Sequence, residues 1–305
     1  MKAYYTDQFV LPLPDGHRFP MAKYGMLRAR VAAARLASLE VPAAAADHDL
    51  ERVHTPDYVR RVSSGTLDPA ARRAIGFPWS PGMVERARRS VGATLAAARQ
   101  ALVDGLAVNL AGGTHHAFPD HGEGFCVFND AAVTARTLQA EALARRVLIV
   151  DCDVHQGNGT AAIFAGDERV FTLDLFAEKN YPFRKQPADL AVPLPDGSGD
   201  ARYLDRLADA LPRAIATSRP DLAIYVSGAD PHVGDRLGRL GLTKDGLEER
   251  DRTVLGTLLK KGVPVAVTMA GGYGRDLHDT VDIHFATVRQ AAHLSAAAGA
   301  RPRSV

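Results

Sequence analysis

Several residues of this chain have the types and spacing that metal-assisted hydrolysis requires. Asp151-Cys-Asp153-Val-His155 sets Asp153 and His155 two residues apart, directly after an apolar run. Side chains at i and i+2 of an extended segment share a face, so both can reach one ion. Asp151 points the same way but sits one step deeper. Asp230, closing Ser227-Gly-Ala-Asp230 after another apolar run, is the natural third ligand. Two carboxylates and one imidazole leave a fourth position open at a zinc ion, which is a catalytic rather than a structural pattern. One Zn2+ per chain is therefore expected, although mixed oxygen and nitrogen ligation also accepts Fe2+ or Mn2+.

Hydrolysis of an amide further needs a base to deprotonate water and an acid to protonate the leaving amine. His115 and His116 are adjacent in Gly112-Gly-Thr-His-His116. On a regular strand they would point oppositely, but a glycine-preceded loop can turn both inward. A metal lowers the pKa of its water to about 7, which an imidazole near 6.5 matches well. Asp151 and Asn158 are candidate partners to fix the two tautomers. An aspartate favours a charged imidazole and an asparagine a neutral one, so the pair is expected to differ in protonation. Direct ligation by the histidines stays open as an alternative. Tyr273, within Gly271-Gly-Tyr-Gly274, can donate to a developing oxyanion, or can equally be a half-buried tyrosine in a turn.

These residues must be brought together by the elements that carry them. Apolar runs at 106–110, 146–150, 170–175, 222–226 and 263–269 suit buried parallel strands. Helical patterns lie between them. Ser80-Pro81 caps and opens one helix to about Asp104, and Thr243 caps another. Segments 134–143, 160–164 and 203–215 also read as helices, with Pro212 expected to kink or end the last. Such alternation indicates an α/β fold with a parallel sheet covered on both faces. Ligands in these sheets bind beyond the carboxyl ends of strands. Four of the five apolar runs lead directly into the polar motifs, which points to a single active site. For any one residue, a polar loop position at a strand end is an adequate reading; for the convergent set it is not.

Bulk properties exclude several other classes. The chain has 305 residues, 46% hydrophobic and 24% charged, with a formal charge of +2. No run of like charge supports direct nucleic-acid binding, and charged stretches such as 85–89 and 248–252 read as solvated helix faces. No apolar run approaches a membrane span. The two cysteines, Cys126 and Cys152, form no disulfide framework, so a cytoplasmic location is expected. One catalytic domain is expected over 1–300, with a frayed tail at 301–305. Oligomeric state cannot be read from the sequence.

Together the motifs resemble the histone deacetylase family of the arginase/deacetylase superfamily. The blocks are Gly113-Thr-His-His-Ala117, Gly124-Phe-Cys-Val-Phe-Asn-Asp130, Asp151-Cys-Asp-Val-His-Gln-Gly-Asn-Gly159, Ser227-Gly-Ala-Asp230 and Ala270-Gly-Gly-Tyr273, in family order. The similarity runs from Met1 to about Leu294. Gln156, Asn158 and Gly234-Asp-Arg-Leu-Gly238 look most like the class IV and bacterial branch. The resemblance implies a single three-layer α/β/α domain with metal ligands Asp153, His155 and Asp230. It implies a histidine pair at His115 and His116 and a carbonyl-polarising Tyr273. Gly124, Phe125, Leu237 and Gly271 would line a lysine tunnel. A structural K+ would use Asp151 and Asp174 with main-chain oxygens of Asp153, His155 and Leu175. Asn158 stands where class I members carry aspartate, so the proton-transfer roles of that class carry over less directly.

The implied reaction is deacylation of an acyl-lysine protein or peptide, with acetyl or a longer acyl group. Alternatives are an amidohydrolase acting on acetylpolyamines or another small acylated amine, a non-catalytic acyl-lysine binding module, and an arginase-like binuclear manganese enzyme. Leu237 stands where polyamine-preferring relatives tend to carry an acidic residue. His17, Phe77 and Trp79 are candidates for the rim, against ordinary surface or packing roles. His232 reads as a loop residue and Cys126 as a small buried hydrophobe. His48, His54, His121, His278, His284 and His293 receive no role.

Overall fold

A computed structural model describes residues 1–299; the expected domain limit at 300 and the tail at 301–305 lie outside the described residues. The elements, in order, are β1 (Lys2–Tyr4), α1 (Ala22–Ala33), β2 (Ser38–Glu40), α2 (Asp47–Leu50), α3 (Pro56–Ser64), α4 (Pro69–Ile75) and α5 (Pro81–Asp104). There follow β3 (Leu106–Asn109), α6 (Asp130–Ala140), β4 (Val147–Asp151), α7 (Asn158–Phe164), β5 (Val170–Ala177) and β6 (Leu190–Leu194). The chain continues through α8 (Asp200–Ser218), β7 (Leu222–Ser227), α9 (Lys244–Lys260), β8 (Val265–Met269) and α10 (Leu277–Gly299). All eight strands join one sheet in the order β2-β1-β3-β8-β7-β4-β5-β6, and every pairing is parallel.

Period-two alternation divides each central strand between two cores. Leu222, Ile224 and Val226 of β7 face α5, α6 and α7, whereas Ala223 and Tyr225 face α1, α8, α9 and α10. In β4, Val147 and Ile149 enter the first core and Leu148 and Val150 the second. Burial on both faces explains why these strands read as continuous apolar runs. The expected α/β/α layering is the observed one. A third apolar cluster, including Tyr58, Ile75, Phe77 and Phe128, joins α3, α4 and the start of α5 to the 112–129 loop.

Helix limits follow local chemistry. The Ser80 side chain accepts from Met83 N–H, and Thr243 accepts from Gly246 N–H, as the capping pattern predicts. α6 begins four residues before the expected 134, because Asn129 caps it. Pro212 does not end its helix: α8 runs on to Ser218. Pro212 and Ala208 both lie on the exposed side, so water can serve the Ala208 carbonyl that loses its donor. The three-residue strands β1 and β2 and the helix α10 carried too little pattern, or too plain a one, to be anticipated.

One expectation is overturned. Stretch 248–252 is not uniformly a solvated face, since Arg250 is wholly buried. Its guanidinium donates to Cys152 O at 3.2 Å, Gly228 O at 2.7 Å and Ser227 Oγ at 3.0 Å. Nε donates to Asp251 Oδ1 at 2.9 Å, and Asp251 also accepts from Tyr225 OH and Thr287 Oγ1. The fork thus ties the backbone just beyond β4 to that just beyond β7. Removing one partner of a buried ion pair leaves an uncompensated charge and costs about 3–5 kcal/mol. Arg250→Met is expected to lose about that much in urea unfolding. Arg213→Ala, which breaks the exposed pair with Asp209, is expected to change stability by under about 1 kcal/mol. Equal effects of the two substitutions would remove the clamp's special role.

Candidate active site and metal centre

The strands β3, β8, β7 and β4 are consecutive neighbours in the sheet, although they are scattered along the chain. Their carboxyl ends therefore deliver four loops to one rim: the histidine pair, Tyr273, Asp230 and the 151–155 segment. The convergence expected from the sequence is observed, and every one of these side chains is buried.

Asp153, His155 and Asp230 form a group whose ligand atoms all lie within 4.8 Å of one another. His155 Nδ1 is 2.9 Å from Asp153 Oδ1 and 3.3 Å from Asp230 Oδ2. Backbone donors aim the carboxylates: Gly271 N–H donates to Asp153 Oδ2 at 2.7 Å and Val154 N–H to Asp230 Oδ1 at 2.9 Å. Asp230 Oδ2 is buried without a hydrogen-bond partner. A Cβ on Gly271 would lie 1.7 Å from that oxygen, so only glycine fits there. Burial raises the Asp230 carboxyl to about 7, with the Asp153 charge as the next cause. Burial lowers His155, but Asp153 and Asp230 outweigh it and lift the imidazole to about 10. Two carboxylates this close in a dry site need a positive partner. The orphaned oxygen and the oxygen/nitrogen donor set fit a divalent metal held by these three residues.

The two histidines lie with ring centroids 4.1 Å apart, both turned into the site. His115 Nδ1 donates to Asp151 Oδ2 at 2.7 Å. Burial lowers this imidazole, but Asp151 and Asp153 overcome it and raise it to about 9. His116 Nδ1 donates to Asn158 Oδ1 at 2.7 Å. Burial, then the charges of His115 and His155, push it well below its ordinary value. The two imidazoles thus shift in opposite directions, because Asp151 and Asp153 outweigh burial at His115 and nothing outweighs it at His116.

Glu123, which the sequence reading did not single out, explains why Asn158 faces His116 as it does. A carboxylate only accepts, and Asn158 Nδ2 donates to Glu123 Oε1 at 2.7 Å. The amide oxygen is therefore left for His116 Nδ1–H, and His116 Nε2 keeps its lone pair toward the cavity. The sole sequence signal was the adjacency of Glu123 to the Gly124 block.

Tyr273 is held by its backbone. Its N–H donates to Asp235 Oδ2 at 2.6 Å and its carbonyl accepts from Arg236 Nε at 2.9 Å. The buried Lys23 donates to Ala270 O and Gly272 O and stands 5.5 Å from the phenol ring centroid. Burial, then Asp153 and Asp230, keep the phenol well above its ordinary pKa, hence protonated and able to donate. A cavity of about 670 Å3 connects His115, His116, Asp153, His155, Gly271 and Tyr273 with an outer part that includes Gly124, Phe125 and Leu237. Phe125 adopts φ 68°, a left-handed conformation costing about 1–2 kcal/mol for a non-glycine residue. Backbone bonds from Gly124 N–H to Ala74 O and from Phe125 N–H to Ile75 O hold it there.

Asp151 and Asp174 face each other in the β4–β5 register, and Asp174 Oδ1 is buried without a hydrogen-bond partner. Burial, then Asp151, pushes the Asp174 carboxyl well up. Among the rim candidates, Phe77 lines the cavity, whereas His17 binds Gly76 O beside Phe77 and Phe125. Trp79 donates to Val62 O and packs over Gly65, a packing role. His232 accepts from Gly234 N–H within its own loop, and Cys126 is buried. His54 has a structural role that was not foreseen. Its Nδ1 donates to Phe118 O at 2.9 Å and its Nε2 accepts from Asn129 N–H at 3.0 Å. Asn129 Nδ2 in turn donates to His115 O and Ala117 O, bracing the histidine loop.

Comparison with known proteins points to one family. A family model described as a histone deacetylase domain matches residues 17–288. An uncharacterized protein of Picosynechococcus is 48% identical over 92% of this chain and 94% of its own length. Histone deacetylase 2 of Arabidopsis thaliana is 32% identical over 76% of this chain. The match spans 62% of that enzyme, less than two thirds of its length. The crystal structure of an HDA15 HD domain superposes with a TM-score of 0.81 at 25% identity, covering 96% of this chain and 88% of that one. No helix among the described residues is long and apolar enough to cross a membrane.

The His54 brace has a measurable pH signature. Burial lowers this imidazole from 6.5 to about 4, and its Nε2 must stay unprotonated to accept from Asn129. Because the folded pKa lies below the unfolded one, its contribution is present above pH 6.5 and is lost as pH falls toward 4. The loss amounts to about 3 kcal/mol at most. The stability gap between the wild type and His54→Gln, measured by urea unfolding, is therefore expected to narrow over that window. A gap constant with pH would show that His54 is not held neutral.

Proposed function

The chain belongs to the histone deacetylase family, and on that premise we propose that it is a zinc-dependent deacylase of acyl-lysine. The observation that carries the reading is the juxtaposition, at one end of a single cavity, of a buried Asp–His–Asp group, two unlike imidazoles and a protonated tyrosine. In this reading Asp153, His155 and Asp230 hold one Zn2+, with Fe2+ as the other candidate. When bound, the ion supplies positive charge to the substrate carbonyl and to the attacking water. Asp151 and Asp174, with main-chain oxygens of Asp153, His155 and Leu175, would hold K+; the buried, unpartnered Asp174 Oδ1 supports that assignment.

The residues of the chain divide the remaining work. Tyr273 OH donates to the carbonyl oxygen as negative charge develops there. His116 Nε2, kept neutral by its setting, takes one proton from water as the water oxygen bonds to the carbonyl carbon. As the carbon–nitrogen bond breaks, the same proton passes from His116 to the departing amine, giving lysine and a carboxylic acid, which ionises by losing the water's second proton. His115, held charged by Asp151, stabilises the negative charge of the intermediate state and keeps its own proton. Gly124, Phe125, Leu237 and Gly271 line the path of the aliphatic lysine stem. An uncharged Leu237 at the mouth favours this substrate over an acetylpolyamine.

Tyr273→Phe is expected to keep bound metal and Tm while kcat falls about 10²–10³-fold, since one oxyanion donor is lost. An unchanged kcat would remove Tyr273 from the chemistry. His116→Ala is expected to abolish turnover with metal content retained, whereas Asp230→Ala is expected to lose the metal. Metal analysis of both variants separates a proton shuttle from a ligand. A series from acetyl to myristoyl on one lysine peptide defines the acyl preference; turnover of acetylspermidine alone would overturn the lysine reading.

A further inference from the structure

The mouth of the cavity carries charge that the proposed reaction does not use. Arg18, Arg73, Lys179, Arg236 and Arg239 all line the cavity and are exposed. They come from four separate segments: the loop before α1, α4, the loop after β5 and the loop after β7. Among the described residues, the only carboxylate lining the same cavity is Asp153, buried in the proposed metal group. Two nearby acids are already committed. Glu123 accepts from Asn158, and buried Asp235 accepts from the backbone N–H groups of Leu237, Gly238 and Tyr273. Among the described residues, Arg239 alone of the five cations makes an ion pair, at 3.2 Å to Asp196.

A near-neutral chain that lines one opening with five exposed cations, only one of them paired, creates a local positive field. Low-dielectric walls focus such a field into the cleft, and it acts within a screening length of about 8 Å at physiological salt. A substrate bearing free ammonium groups is repelled there, whereas carboxylates beside the scissile amide are drawn in. We propose that the rim selects acyl-lysine lying in an acidic stretch of polypeptide, with Asp or Glu close on either side. The exposed Phe183 at the same opening offers such a segment an apolar contact. This inference rests on the acyl-lysine reading and names the sequence context of its substrate.

The test uses three fluorescent acetyl-lysine peptides, identical except for Glu, Gln or Lys at the flanking positions. Both kcat/KM and Kd, the latter by anisotropy, are measured at low and high salt. The Glu peptide is expected to exceed the Lys peptide about tenfold or more at low salt, in KM and Kd rather than kcat, with the gap closing as salt rises. The exposed triple variant Arg18→Glu/Arg73→Glu/Lys179→Glu, checked for an unchanged melting curve, is expected to reverse the order. Equal values for the three peptides at low salt overturn the proposal, as does a triple variant that retains the wild-type order. Tighter binding of the Glu peptide with no hydrolysis of any peptide would uphold the rim's selectivity while refuting the deacylase reading.

Discussion

Four buried carboxylates, Asp151, Asp153, Asp174 and Asp230, crowd the carboxyl edge of one sheet, and their mutual repulsion is what the surrounding structure must contain. Arg250 is the fixed answer from below. Its planar fork spans Cys152 O and Gly228 O, so the segments leading to Asp153 and Asp230 cannot drift apart without unpairing a buried cation. Asp251 completes the arrangement by accepting from Tyr225 and Thr287, which leaves the guanidinium with a counter-charge inside the protein. Hydrogen bonds thus hold both segments in place and aim the carboxylates of Asp153 and Asp230.

Above that clamp, the two imidazoles differ because their partners differ in what they can accept or donate. Burial lowers both rings; the carboxylate behind His115 reverses that shift, whereas the carboxamide behind His116 does not offset it. Glu123 makes the second choice unambiguous by occupying the only donor end of Asn158. Hydrogen-bond direction therefore fixes the tautomer of His116, with Nδ1 carrying the proton.

Much of this was legible in the sequence, for identifiable reasons. Polar motifs directly after apolar runs located the site, because a parallel sheet covered on both faces exposes function only at strand ends. Spacing of two residues linked Asp153 to His155, and caps at Ser80 and Thr243 marked helices correctly. What escaped were residues whose role depends on a partner far along the chain. Arg250 has the helical charged neighbours of a solvated face, and only its contact with strands 22 to 98 residues away makes it structural. His54 and Glu123 had no motif of their own; each acts through an asparagine. The rim cations are scattered over four segments, and no local charge run betrays their convergence.

The position of β8 has a consequence for how the site is assembled. This strand is the last of the eight in chain order, yet it sits in the interior of the sheet, between β3 and β7. β8 is the sole link in the sheet between β2-β1-β3 on one side and β7-β4-β5-β6 on the other. One side, carrying β4 and β7, holds Asp153, His155 and Asp230; the other holds the histidine loop; Tyr273 follows the linking strand itself. A single strand late in the chain thus joins two separate groups of side chains into the lining of one cavity.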